Sequence, residues 1–270
     1  GGEKMAAAGP VLAVVTGASR GFGRELALAA ARALRGRELH AVLLGRSRAD
    51  LSATADLVRD VHRDASVAVE ARDLSRLEEL PAAAAAACPQ PDAGRAYRTA
   101  LLFNNAGSLG RLGELQHMDV HDLHDAFTFN ITSACFLSAR FAAAYASPEC
   151  DTVVVQTSSI CGVRPFATMG PYCTAKAARD MLHSVLALES PHARVLSYAP
   201  GPMDTSMLAE LAAAPSLSPE LRGAFASARA TGGVVDAGAS AAACVGLALS
   251  GGFSSGAHVD FVEDLARGGE

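Results

Sequence analysis

Thr16-Gly17-Ala18-Ser19-Arg20-Gly21-Phe22-Gly23 is the stretch on which the reading of this chain turns. It follows Val11–Thr16, a Val-rich apolar run with the length of a buried strand, and it opens an Ala/Leu-rich helical run over about 22–35. Glycines at these places let the backbone turn sharply and approach a ligand closely. The helix that follows then offers free N–H groups and the positive end of its dipole to an anion such as a pyrophosphate. A glycine-rich stretch alone carries little information. Between a strand and a helix it is in the context that the mechanism needs.

Outward from this turn, apolar strand-like runs alternate with helical ones. Strands are expected near 39–44, 67–69, 101–104, 152–156, 195–198 and 258–261, and helices over 51–61, 77–87, 122–146, 175–189 and 239–249. Residues 88–98, with two Pro and a Gly, read as a loop. Strand runs that are apolar on both faces suit a parallel sheet covered by helices, an α/β domain. No composition break or internal repeat marks a second domain. A single domain is expected over 11–262, after a short N-terminal segment (1–10) that is disordered or foreign to the native chain and before a tail (263–270). Residues 204–231, with two Pro and spaced Met and Leu, break the alternation and read as a helical excursion over the substrate site.

Composition narrows the function. The 270 residues carry a net charge of −5 with no basic tract, which argues against general nucleic-acid binding. The six cysteines include no C-x-x-C pair and read as reduced thiols. No apolar run is long enough to span a bilayer, and the expected location is the cytoplasm. His117, His121 and His124 are spaced to share a helical face. A polar face explains them better than a metal site, and no metal is expected.

At the end of the second strand a carboxylate would suit the 2′-hydroxyl of NAD. This chain has Gly45-Arg46-Ser47 there. Arg46 can pair with a 2′-phosphate, and Arg20 can approach the same group, so NADP(H) is the expected cofactor. Asp73-Leu74, after the third strand, can meet the adenine, although Asp73 also suits a helix cap. Tyr172-Cys173-Thr174-Ala175-Lys176 places Tyr and Lys one helical turn apart. An ammonium near a phenol favours the phenolate, so this Tyr is expected to exchange a proton with a carbonyl oxygen. Ser159, after the fifth strand, can hold that oxygen. Asn105, in Asn104-Asn105-Ala106-Gly107, can brace the sheet edge beside the cofactor, and Asn130 can hold a relay water for Lys176. Cys173 reads as a packing residue.

The glycine turn, Asn-Asn-Ala-Gly, Asn130, Ser159, Tyr172, Lys176 and Pro200-Gly201, in this order over almost the whole chain, resemble the short-chain dehydrogenase/reductase family. The resemblance implies a Rossmann-type, doubly wound, mostly parallel seven-stranded sheet with helices on both faces. It also implies a Ser–Tyr–Lys–Asn tetrad and frequent dimers or tetramers, with a homodimer expected here. The cofactor contacts it implies are Gly17, Ser19, Arg20, Gly21, Phe22, Gly23, Arg46, Ser47, Asp73, Leu74, Asn105, Ala106, Gly107, Tyr172, Lys176, Pro200, Gly201, Met203 and Thr205. Longer strings are similar to the sepiapterin reductase branch: 16–23 (TGASRGFG), 106–110 (AGSLG), 175–182 (AKAARDML), 198–205 (YAPGPMDT) and 255–261 (SGAHVDF). That branch reduces side-chain carbonyls of pterins with NADPH in tetrahydrobiopterin synthesis. The resemblance makes Asp260 the pterin anchor and places Ser159, Tyr172, Gly201 and Asp260 against the substrate. Met169, where that branch carries Trp, and residues 111–125 depart from it. Reduction of other ketones is the competing expectation, and a non-catalytic NADP(H) sensor a more distant one.

Overall fold

The structure, a computed structural model, describes residues 9–90 and 96–265. Among these residues seven strands form one sheet: β1 (Val11–Thr16), β2 (Leu39–Gly45), β3 (Ser66–Ala71), β4 (Thr99–Asn104), β5 (Asp151–Thr157), β6 (Ala193–Ala199) and β7 (Ala257–Asp260). Their order is β3-β2-β1-β4-β5-β6-β7, and every pairing is parallel. The order reverses between β1 and β4. In such a sheet a crevice opens at that place, beyond the strand C-termini.

Alternation along the strands explains why they are apolar on both faces. Val11, Ala13 and Val15 pack with α1 (Gly21–Ala33), α2 (Arg48–Val61) and α9 (Ala237–Ser250). Leu12 and Val14 point the other way, into a layer with α3 (Leu80–Ala87), α5 (Ser133–Tyr145) and α6 (Gly170–Glu189). Among the described residues no helix is long and apolar enough to cross a membrane.

Several elements differ from expectation. The run 122–146 is not one helix. α4 (Val120–Phe127) and α5 are joined by a π-helical turn at Thr128–Thr132, centred on Asn130. Such a turn is too short for apolar spacing to reveal, and it is often found at functional sites. α6 begins at Gly170 rather than near 175, because Pro171 suits a first turn, where no N–H is needed. The run 77–87 divides into a 3₁₀ turn, Leu77–Glu79, and α3. Residues 204–231 form α7 (Ser206–Ala213) and α8 (Pro219–Thr231). Phe261–Leu265 is a π-helical turn rather than the end of a strand and the start of a tail. Residues 1–8, 91–95 and 266–270, on which parts of the expected N-terminal segment, loop and tail fall, lie outside the described residues.

Candidate active site

The glycine turn sits at the switch point. Gly17 and Gly21 have φ of +67° and +55°, in the left-handed region that glycine adopts without strain. A Cβ on Gly23 would stand 2.2 Å from the Gly17 carbonyl oxygen, so α1 packs straight onto the turn. No side chain caps α1, and Arg20 at its N-cap is extended and exposed. Its first N–H groups are therefore available to an anion. The Phe22 ring stacks on Tyr198 in the core, centroids 6.3 Å apart, which leaves only its backbone to face a ligand. The Ser19 carbonyl accepts from Arg24 Nη2 at 2.6 Å.

Arg46 is exposed at the end of β2. Ser47 Oγ accepts from the Asp50 amide at 3.3 Å and caps α2. The Asp73 carboxylate accepts from the amide and hydroxyl of Ser75, a local turn rather than the helix cap the sequence allows. Burial works against its charge, but Ser75 and the nearby Arg46 and Arg76 hold its pKa below the usual value. Leu74 faces the core. A cradle that side chains would fill, an uncapped helix end and two exposed cations at its rim fit a dinucleotide with an extra phosphate.

Past β4, Asn105 braces three strands. Its Nδ2 donates to Thr16 O at 3.1 Å, and its Oδ1 accepts from Thr157 Oγ1 at 3.3 Å. The Ala106 amide donates to Thr16 Oγ1 at 2.9 Å. Asn130 Oδ1 accepts from the Ser108 amide at 2.9 Å, and its Nδ2 donates to Ala126 O at 3.0 Å, so its side chain anchors the π turn. A Cβ on Gly107 would come within 3.0 Å of Asn130 Oδ1.

Tyr172 and Lys176 are both buried on α6. Lys176 Nζ donates to Thr157 O at 2.6 Å and lies 5.5 Å from the centre of the Tyr172 ring. Ser159 lies two residues past β5 and caps the 3₁₀ turn Ile160–Gly162, where its Oγ accepts from the Cys161 amide at 3.2 Å and stands near the Tyr172 hydroxyl. The electrostatics differ from expectation. Burial, with Cys161 nearby, raises the Tyr172 pKa above its ordinary value despite Ser159 and Arg179. Burial, reinforced by Arg179, lowers Lys176 to about 7. Desolvation outweighs the expected acidification, because both groups are removed from water and the ammonium points at Thr157. The phenol is thus protonated throughout the neutral range.

Gly201, at φ +82°, is pressed against Val235 and Val262, and Met203 bridges to Val235. The Pro200 carbonyl accepts from Ser240 Oγ at 3.0 Å. Thr205 lies over the glycine turn, its methyl 3.5 Å from where a Gly21 side chain would begin. Asp260 pairs in register with Ala199 at the end of β7. Its Oδ1 accepts from the amides of Val262 and Glu263 at 2.8 and 3.1 Å, and its Oδ2 takes no hydrogen bond among the described residues.

Arg179 and Asp180 escape the sequence reading, which places Met207 only within the 204–231 excursion. Met207 on α7 brings its sulfur 3.9 Å from the Tyr172 hydroxyl. With Leu109, Leu112, Met169, Leu211 and Leu217 it forms a small apolar cluster around Tyr172. Arg179 and Asp180 lie under the same helix face. Their signal was the spacing from Lys176, three and four residues on. His117 falls in a 3₁₀ turn before α4, so it shares no helical face with His121 and His124. Among the described residues no cluster of His, Cys, Asp or Glu has the geometry of a metal site.

The sequence pattern described as short chain dehydrogenase matches residues 11–216. Sepiapterin reductase of Mus musculus is 39% identical over 267 residues, covering 94% of this chain and 98% of the relative. That of Xenopus laevis is 37% identical over 264 residues, covering 96% and 98%. Among solved structures, L-sorbose reductase from Gluconobacter frateurii superposes with a TM-score of 0.75 at 21% identity, over 94% of this chain and 95% of that one. The chain belongs to the short-chain dehydrogenase family.

Proposed function

We propose that this protein reduces the side-chain carbonyl of a pterin with NADPH. The observation that carries the reading is the meeting of Ser159, Tyr172 and Lys176, linked to the glycine turn through Thr157 and Asn105, in a chain 39% identical to sepiapterin reductase of Mus musculus along nearly its full length. Residues 11–262 form the reductase domain, with 204–231 as the cover of the substrate site.

The turn Gly17, Ser19, Gly21, Phe22 and Gly23 holds the pyrophosphate through its backbone, and Arg20 and Arg46 take the 2′-phosphate. Ser47, Asp73 and the backbone of Leu74 border the adenosine. Asn105, Ala106, Gly107, Tyr172, Lys176, Pro200, Gly201, Met203 and Thr205 border the ribose and nicotinamide. Reduced nicotinamide, when bound, supplies the hydride. Ser159 orients the carbonyl oxygen, and Tyr172, protonated at neutral pH, gives it a proton. Lys176, near 7, exchanges protons at the same pH and restores the phenol. Asn130, its side-chain amide engaged on both sides, offers the relay water the second lone pair of a backbone carbonyl that already accepts from Arg179 Nη1 at 3.5 Å. Asp260 Oδ2 is the oxygen that receives the pterin N–H edge. Met181, Val185 and Leu188, exposed along one side of α6, support a homodimer formed across that face.

One observation favours a second reading, reduction of other ketones: Asp260 Oδ1 is already committed to backbone amides. NADPH oxidation with sepiapterin and with small diketones separates the two. Tyr172→Phe should lower kcat on both by on the order of 10²–10⁴-fold. Asp260→Ala should cripple sepiapterin turnover and spare diketones. Equal effects of Asp260→Ala on both would leave the broader ketone reading. An undiminished Tyr172→Phe would sink both, and faster turnover with NADH would sink the role of Arg46.

A further inference from the structure

Arg179 follows Lys176 by one turn of α6, and none of its surface is exposed. A guanidinium so buried is costly unless all its donors are used. Its hydrogen bonds all go to carbonyl oxygens. Nε donates to Gln156 Oε1 at 2.8 Å, Nη1 to Ala106 O at 2.8 Å and Asn130 O at 3.5 Å, and Nη2 to Asn104 O at 2.5 Å. These acceptors belong to three separate segments: β5, the end of β4 with the turn that follows it, and the π turn between α4 and α5. A Cβ on Gly107 would lie 3.7 Å from Arg179 Nη1, so the guanidinium sits directly beneath the turn. Only a planar fork of five donors spans three segments at once. An ammonium is a single point, and an amide has two donors.

We infer that Arg179 is a positioning residue: its fork sets the Asn104–Gly107 turn and the Asn130 turn against the Tyr172–Lys176 face, and its charge faces Lys176. This rests on the carbonyl reduction proposed above. The same charge adds to burial in holding Lys176 near 7. The other groups that bear on Lys176 are Tyr172 and Asp180 on α6 and Cys161 in the turn after β5. His183 on α6 faces Arg179, and His258 on β7 reaches the set through Asp180.

The test compares Arg179→Lys and Arg179→Met with wild type and Tyr172→Phe. NADPH oxidation with sepiapterin is followed across the neutral range, and folding by the NADPH-dependent rise in Tm. Arg179→Lys keeps the charge and loses the fork. Its kcat should fall by on the order of a hundred-fold, with KM for NADPH little changed and the alkaline limb of the pH profile in place. Arg179→Met should lose kcat similarly and move that limb to higher pH, because Lys176 is relieved of its repulsion. A purely structural role would lower Tm and leave the limb and kcat alone, which would overturn the inference. If Arg179→Met does not fold, Arg179→Lys decides alone, and if neither folds Arg179 is a core group and the inference fails. Wild type inactive on sepiapterin sinks the proposed reaction. Wild type active, Tyr172→Phe dead and Arg179→Lys at full rate sinks only the role of Arg179.

Discussion

A side chain at Gly23 has nowhere to go. Its Cβ would meet the Gly17 carbonyl oxygen at 2.2 Å and Asn105 Nδ2 at 2.6 Å, and the first of these is backbone that cannot rotate away. Gly23→Ala should therefore push α1 off the turn at a cost of about 1–3 kcal/mol, and weaken NADPH binding by more than it lowers Tm. Gly246 is the internal control. It is exposed within α9, and a Cβ there meets nothing within 4 Å. Gly246→Ala should raise stability by about 1 kcal/mol through helix propensity alone. Thermal melts with and without NADPH check both variants, and a harmless Gly23→Ala would mean that the turn is looser than its geometry shows.

At the scale of elements, α6 and β7 are joined by one polar cluster. Asp180 accepts from Gln156 Nε2 at 2.6 Å and Ser158 Oγ at 2.7 Å, and pairs with His258 Nδ1 at 2.9 Å. Burial alone would raise Asp180, but His258, Ser158 and Gln156 outweigh it and its pKa is lowered. His258 is raised, chiefly by its hydrogen bond to Asp180. The lowered acid contributes stability above the ordinary carboxylate range, which is lost as pH falls through its folded value. The raised base contributes stability below its unfolded value of roughly 6.5, which is lost as pH rises through the folded value. The pair therefore helps most between about pH 5 and pH 6. His258→Gln should melt well below wild type there, and the gap should narrow as pH rises past the histidine range. A gap independent of pH would show that His258 acts by shape rather than charge. Ser158 precedes Ser159, and His258 lies two residues before Asp260, so the same cluster ties both ends of the proposed substrate site to α6.

Among the described residues, exposed apolar side chains line up along one helix. Met181, Val185 and Leu188 follow one another along α6, and Leu188 is 84% exposed. Leu188 touches little within its own chain, so Leu188→Asp should cost a lone protomer almost nothing. If two copies meet across this face, light scattering should show the variant at half the wild-type mass with its fold intact. Equal masses would end the idea. Met207, Leu211 and Leu217 belong to the apolar cluster over Tyr172, which makes the 204–231 excursion part of the proposed site.

The sequence by itself determined the features that depend on neighbours along the chain. The glycine turn needs only a strand before it and a helix after it, and the Tyr172–Lys176 spacing needs only helical geometry. The alternation of runs leads to a parallel sheet, because strands apolar on both faces must be covered on both. Tertiary structure alone decided what depends on residues brought together from afar. The π turn at Asn130 is invisible to periodicity, since five residues are too few for apolar spacing to set them apart from the α-helices on either side. Arg179 looks like an ordinary surface arginine until β4, β5 and the π turn close around it. The charge states of Tyr172 and Lys176 follow the same rule. Spacing brings the two groups together, but burial sets their pKa values, and burial is a property of everything packed around them.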